Sequence, residues 1–254
     1  MKSLVQRGLL ALGLALCAAG VLAQAPTTLT VAAAASLTDA LRDLGKQFAA
    51  HHPQATLRFN FAASGVLLRQ LEQGAPVDLF ISADPDTMDS GMAQHLLDPA
   101  TRQDFASNSV VLVVPSGSRL PIQALADLAR PEVQRIALGK VATVPAGRYA
   151  RQSLEQAGLW AALEPRFIPA LNVRQVLDYV ARGEVDAGFV YRTDALLMPD
   201  QVRVVLTLSG HTPVRYPMAR VSNGPQPALA QAFMAFLLGP VGQGTLARYG
   251  FGRP

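Results

Sequence analysis

The sequence predicts an α/β protein folded as two lobes. Short apolar runs rich in Val, Ile and Phe alternate with segments of helical period, the pattern of βα units on a mainly parallel sheet. The alternation yields about ten strands, more than one sheet commonly holds, and a chain of 254 residues is long enough for two cores. No Pro-, Gly- or Ser-rich linker divides it. The lobes are therefore expected to be joined by ordered strands, with 109–114 and 216–221 as candidate crossings.

Residues 28–34 read as the first strand, after which Leu37, Ala40, Leu41, Leu44 and Phe48 fall on one helical face before Pro53. Residues 57–61 form the second strand, followed by a helix over 65–73 that Gly74 stops. The third strand is 78–82, and the next helix starts near Pro85, since proline suits a first turn. A strand over 109–114 ends at Pro115 and precedes a helix over 122–128; a short strand at 135–138 leads through Val144-Pro145-Ala146 into a helix over 147–157. Val173, Val176, Leu177 and Val180 share the face of the next helix, and 186–191 is the next strand. Strands at 202–208 and 214–221 flank the Gly210-His211 turn. A helix over 227–238 and a shorter one before Gly250 close the chain.

The first residues carry two basic side chains, Lys2 and Arg7, then an apolar stretch from Gly8 to Ala23, then small residues at cleavage spacing. This order is that of a secretory signal, with cleavage after Ala23 or Ala25, the latter preferred. Roughly 16 apolar residues fall short of the roughly 20 that a spanning helix needs. Cys17 lies behind Leu16, where a lipidation signal wants a small residue. Removing the segment removes the only cysteine and lowers the formal net charge of +4 by two. With 16% charged residues and half the chain apolar, a disordered chain, a disulfide scaffold and a highly charged nucleic-acid binder are excluded.

Four strand-to-helix turns share one chemistry. Ala35-Ser36-Leu37-Thr38, Ala62-Ala63-Ser64-Gly65, Val144-Pro145-Ala146-Gly147 and Leu171-Asn172-Val173-Arg174 each place small or polar residues where a helix begins. Helix starts offer unpaired N–H groups and the positive end of a dipole, and ligands of α/β proteins dock at these strand ends. The set suits a small anion held by neutral donors. Each turn also has a plainer reading. Ser36, three residues before Asp39, and Ser64, before Gly65, taken singly read more readily as helix caps. Tyr191, ending an apolar strand, reads more readily as a core aromatic.

Catalysis finds little support. His51, His52, His95 and His211 show no metal-ligand spacing, and no nucleophile elbow, Walker loop or dinucleotide fingerprint is present. A hydrolase built on Ser36 or Ser64 would require a histidine beside one of them.

The segments AAASLTDAL (33–41), FAASGVLLRQLEQGAPVDLFISAD (61–84), VPAGRYA (144–150), NVRQVL (172–177), GFVYRTDA (188–195) and RYGF (248–251) together resemble the periplasmic molybdate-binding proteins of ABC transporters, a branch of the type II substrate-binding proteins. The resemblance spans essentially the whole chain after the signal, with its motifs in family order. It implies two lobes, each a mixed sheet flanked by helices, with an oxyanion in the cleft between them: 26–110 with 220–254 as the first lobe and 111–219 as the second. Carried over by position, it implies ligand contacts from Ser36 and Ser64 in the first lobe and from Ala146, Val173 and Tyr191 in the second. The serines would supply hydroxyl and backbone donors, Ala146 and Val173 backbone N–H groups, and Tyr191 its phenol.

The resemblance further implies molybdate or tungstate as ligand, no cofactor, no direct metal coordination, an inner-membrane ABC permease as partner, a periplasmic monomer, and no nucleic acid. Sulfate or phosphate as cargo is the alternative. Two departures stand out: Gly65 occupies a position where some members carry Ser, and Gly139-Lys140-Val141-Ala142 lacks the acidic residue and proline that many carry. Lys140 is expected to point to solvent rather than to the cleft rim. Replacing Ser64 by Ala is expected to weaken binding and leave the ligand-free melting temperature nearly unchanged.

Overall fold

The computed structural model describes residues 27–254. The segment read as a secretory signal, with Lys2, Arg7, Cys17, Ala23 and Ala25, lies outside the described residues. Two five-stranded mixed sheets each carry helices on their faces, as the sequence predicts. The first contains β1 (Thr27–Ala34), β2 (Ala55–Ala62), β3 (Leu79–Ile81), β4 (Gln103–Asn108) and β10 (Val214–Arg220), in the order β2-β1-β3-β10-β4. The second contains β5 (Val110–Pro115), β6 (Ile136–Gly139), β7 (Phe167–Ala170), β8 (Ala187–Tyr191) and β9 (Val202–Thr207), in the order β7-β6-β8-β5-β9.

The two sheets repeat one plan. Three parallel strands stand side by side, a fourth joins antiparallel, and the edge strand pairs antiparallel with that fourth. The antiparallel fourth strand is in each case the one that has just crossed from the other lobe. The chain crosses first between Asn108 and Val110 and returns between Thr207 and Val214. Each crossing therefore falls just before the strand singled out from sequence. The expected boundaries need correction on the same ground: residues 214–219, expected in the second lobe, hydrogen-bond into the first sheet, and Val110 pairs with Tyr191 in the second. The physical reason is that β10 pairs along its whole length with β3 and β4, so the return is made in the connection before it, which holds Gly210 at a φ of +80°.

Helices α1 (Thr38–His51), α2 (Ser64–Glu72), α3 (Pro85–Ala93), α4 (Pro145–Gln156), α5 (Trp160–Leu163), α6 (Val173–Ala181), α7 (Arg192–Ala195), α8 (Pro227–Leu238) and α9 (Pro240–Arg248) cover the sheets. The predicted α1 face is buried, with Leu41, Leu44 and Phe48 fully enclosed. The helix expected over 122–128 is instead a 3-10 turn at Leu125–Ala129. Two strands escaped the sequence reading, β4 and β7. Both are edge strands: β4 reads QDFASN, with little apolar signal, and β7 carries Pro169, which an edge tolerates. No single helix among the described residues is long and apolar enough to cross a membrane.

Candidate functional site

The parallel strands of both sheets direct their carboxyl ends at the boundary between the lobes. The residues that follow those ends enclose one cavity: 34–36 after β1, 62–64 after β2, Ala83 after β3, 144–146 after β6, 172–173 after β7, and Tyr191 closing β8. Its volume is about 10 Å³, far below the roughly 300–1,000 Å³ of sites for drug-sized ligands. Larger hollows exist, one lined by Ser107, His211, Arg215 and Arg253, another by His51, His52 and Leu229, but each borders a single lobe edge or the crossing strands. The small cavity gathers the carboxyl ends of the parallel strands from both sheets.

All five residues implied by the resemblance line that cavity. Ser36 lies in a 3-10 turn (Ala35–Leu37) that leads into α1, and Ser64 is the first residue of α2. Neither acts as a helix cap, because neither side chain accepts a hydrogen bond from its own helix. The buried Ser64 Oγ instead accepts the Ala83 N–H at 3.0 Å, and the buried Ser36 Oγ lies 3.0 Å from the Tyr216 hydroxyl. Since a backbone N–H can only donate, the Ser64 hydroxyl proton is free for another acceptor.

In the second lobe, Ala146 follows Pro145 at the start of α4, and Val173 opens α6 behind Asn172, whose side chain caps the helix by accepting the Gln175 N–H. Both N–H groups lie in a first turn, where no helical carbonyl can accept them. Gly147 makes this placement possible: a Cβ there would lie 2.0 Å from the Gly139 carbonyl oxygen, so only glycine lets α4 approach β6 so closely. The buried Tyr191 phenol donates weakly to the Ala83 carbonyl at 3.4 Å. Burial holds this phenol well above the ordinary tyrosine range, so it remains a protonated donor.

No charged side chain lines the cavity. The nearby arginines are engaged with carboxylates across and within the lobes. Arg148 on α4 pairs with Asp84 of the first lobe and donates to Thr87 Oγ1 at 2.7 Å. Arg174 on α6 reaches Asp39 at 2.7 Å and the Ser36 carbonyl at 3.1 Å, both in the first lobe. Its Nε lies 2.7 Å from Asp194 Oδ1 in an ion pair without an aligned hydrogen bond. Burial pushes the Asp194 carboxyl up to about 6, against the Arg174 charge and the Tyr191 N–H that it accepts. The Gly65 N–H completes the closure by donating to the Thr143 carbonyl at 3.0 Å. Lys140 is exposed and lies off the cavity.

Among the described residues no histidine hydrogen-bonds to Ser36 or Ser64, whose partners are Tyr216 and the Ala83 N–H. Nor do the described residues contain a group of His, Cys, Asp or Glu able to hold a metal ion. Sequence reasoning missed Asn108 and Tyr216, which stand behind Ser36, and the interlobe roles of Arg148 and Arg174. The two arginines lie inside the motifs VPAGRYA and NVRQVL. Their partners are 64 and 135 residues away, a pairing that one sequence does not reveal.

Comparison with known proteins agrees with this architecture. Residues 29–252 match the family of bacterial extracellular solute-binding proteins. The molybdate-binding protein ModA of Escherichia coli is 40% identical over 229 residues, covering 88% of each chain. ModA of Haemophilus influenzae is 34% identical, covering 89% of this chain and 91% of its own. Among solved structures, the periplasmic molybdate-binding protein of Azotobacter vinelandii superposes with a TM-score of 0.79 at 23% identity, over 89% of this chain and 99% of that one. The sulfate-binding protein SubI of Mycobacterium tuberculosis does so with a TM-score of 0.77 at 19% identity, over 89% and 86%. At such identities these two establish the fold alone. The chain belongs to the bacterial extracellular solute-binding proteins, alongside the relatives named ModA, and has the two-lobed architecture of type II periplasmic binding proteins.

Proposed function

We propose that this protein captures molybdate, and tungstate with it, in the interlobe cavity and delivers it to an ABC permease of the inner membrane from the periplasm, as a monomer, without a cofactor and without catalysing a reaction. The observation that carries the reading is the cavity itself. Five residues from four separate turns and one strand end converge on one small space whose lining is neutral and rich in donors. Ser36, Ser64 and Tyr191 would supply hydroxyls, and Ala146 and Val173 would supply N–H groups. A fully deprotonated dianion needs only donors, whereas a carboxylate acceptor would favour a protonated oxyanion; no carboxylate lines the cavity. The 40% identity to a relative named as molybdate-binding supports this choice of anion.

Binding is the closing of one lobe on the other about the two crossings. The ligand stabilises the closed form by its differential affinity alone. The test is a melting panel with molybdate, tungstate, sulfate and phosphate. A ligand at a hundred times its Kd adds about 2.7 kcal/mol, equivalent to about 5–10 °C for a chain of this size. Molybdate and tungstate are expected to raise the melting temperature and sulfate and phosphate to leave it in place. A rise with sulfate and none with molybdate would move the assignment to another oxyanion.

A further inference from the structure

We propose that Asn108 and Tyr216 form a hydrogen-bond relay that fixes the Ser36 hydroxyl as a donor toward the bound anion, making both of them positioning residues for ligand selectivity. The proposal rests on the reading of Ser36 as a ligand contact. Its geometry begins at the first crossing. Asn108 ends β4, and its Oδ1 accepts the Ser109 N–H at 2.9 Å. A backbone N–H cannot accept, so this bond fixes which end of the amide is the NH₂.

The two hydrogens of Asn108 Nδ2 then have two acceptors, Thr193 Oγ1 at 2.9 Å and the Tyr216 hydroxyl oxygen at 3.2 Å. Tyr216 is fully buried on β10, and burial holds its phenol well above the ordinary tyrosine range, so it keeps its proton. Its oxygen already accepts from Asn108. Its own proton therefore goes to its other polar neighbour, Ser36 Oγ at 3.0 Å. Ser36 accepts that bond, and its hydroxyl proton is left to point into the cavity.

Direction runs one way along the chain, from Asn108 through Tyr216 to Ser36. Ser64 is held in the same sense by the Ala83 N–H. Both serines are thus set as donors before any ligand arrives. A free serine hydroxyl could rotate and accept from a protonated oxyanion such as hydrogen phosphate. Accepting from the buried phenol uses one of the two Ser36 lone pairs and rules out donation back to Tyr216, so the hydroxyl proton is kept for the ligand and an anion with acceptors only is favoured.

Calorimetric titration of the full mature chain with molybdate tests this, using the wild type, Tyr216→Phe, Ser36→Ala and the double variant. The expected result is a loss of about 3- to 10-fold for Tyr216→Phe, at least as large a loss for Ser36→Ala, and no further loss in the double variant. Equal losses from Tyr216→Phe in both backgrounds would make Tyr216 a packing residue and overturn the relay, as would unchanged affinity in Tyr216→Phe. If Ser36→Ala binds like the wild type, or the wild type does not bind molybdate, the underlying reading of the site fails and the relay with it. Asn108→Ala interrupts the same chain one link earlier, so it provides the test if Tyr216→Phe does not fold. It is expected to weaken molybdate binding only where Ser36 is present.

Discussion

Replacing Gly65 by alanine would wedge the lobes apart at a single point. A Cβ on Gly65 would lie 3.0 Å from both the Cα and the carbonyl oxygen of Thr143 in the opposite lobe, so one backbone must give by a few tenths of an ångström. The Gly65 N–H to Thr143 carbonyl bond, now 3.0 Å, would stretch with it. Overpacking of this kind costs about 1–3 kcal/mol, and the bond itself is worth about 0.5–1.5 kcal/mol. Both terms act only when the lobes are closed, so molybdate affinity should fall by at least about tenfold, and by about a thousandfold if the two costs add in full. Once the lobes part the clash is gone, and alanine in a helix is favoured over glycine by roughly 0.5–1 kcal/mol. The ligand-free melting temperature should therefore hold or rise by about 1–4 °C. Calorimetry and a melting curve measure the two quantities. Unchanged affinity, or a fall in the ligand-free melting temperature, would refute closure through this contact.

Ser64→Ala should weaken molybdate binding and, contrary to the expectation from sequence, also destabilise the ligand-free protein. It strips the buried Ala83 N–H of its acceptor, at about 1–3 kcal/mol, and an unaltered melting temperature would contradict that bond. Arg148→Ala removes an interlobe pair with the buried Asp84; molybdate affinity should drop by roughly tenfold, with no effect if Arg148 does not hold the lobes together. The Asp194 carboxyl, raised by burial from 3.8 to about 6, binds more protons in the folded state than in the unfolded chain. Its contribution to stability is thus fully present below about pH 4 and is lost as pH rises through about 6, by on the order of 2–3 kcal/mol. Denaturant titrations of wild type and Asp194→Asn should show the wild type losing ground to the variant between pH 4.5 and 7. A gap independent of pH would contradict a raised Asp194.

Much of this was legible in the residues because the relevant signals are local. The alternation of apolar runs with helical faces placed eight of the strands, and small residues at strand-to-helix turns marked the segments that line the cavity. Single turns, however, pointed the wrong way: Ser36 and Ser64 each read more readily as caps, and in the structure neither caps its helix. Only the ensemble of motifs made them candidates. Strands β4 and β7 stayed hidden because edge strands need neither alternation nor freedom from proline. Tyr216 and Asn108 stayed hidden because their importance lies in contacts 180 and 108 residues away in sequence. The same holds for Arg148 and Arg174, whose partners Asp84 and Asp39 belong to the opposite lobe.

A crystal structure of the molybdate complex tests the central claim most directly. The account predicts one intact oxyanion in the interlobe cavity, its oxygens about 2.7–3.1 Å from Ser36 Oγ, Ser64 Oγ, Ala146 N, Val173 N and the Tyr191 hydroxyl, with Arg148 and Arg174 still on their carboxylates. An anion seated on either arginine, or anywhere outside that cavity, would contradict it.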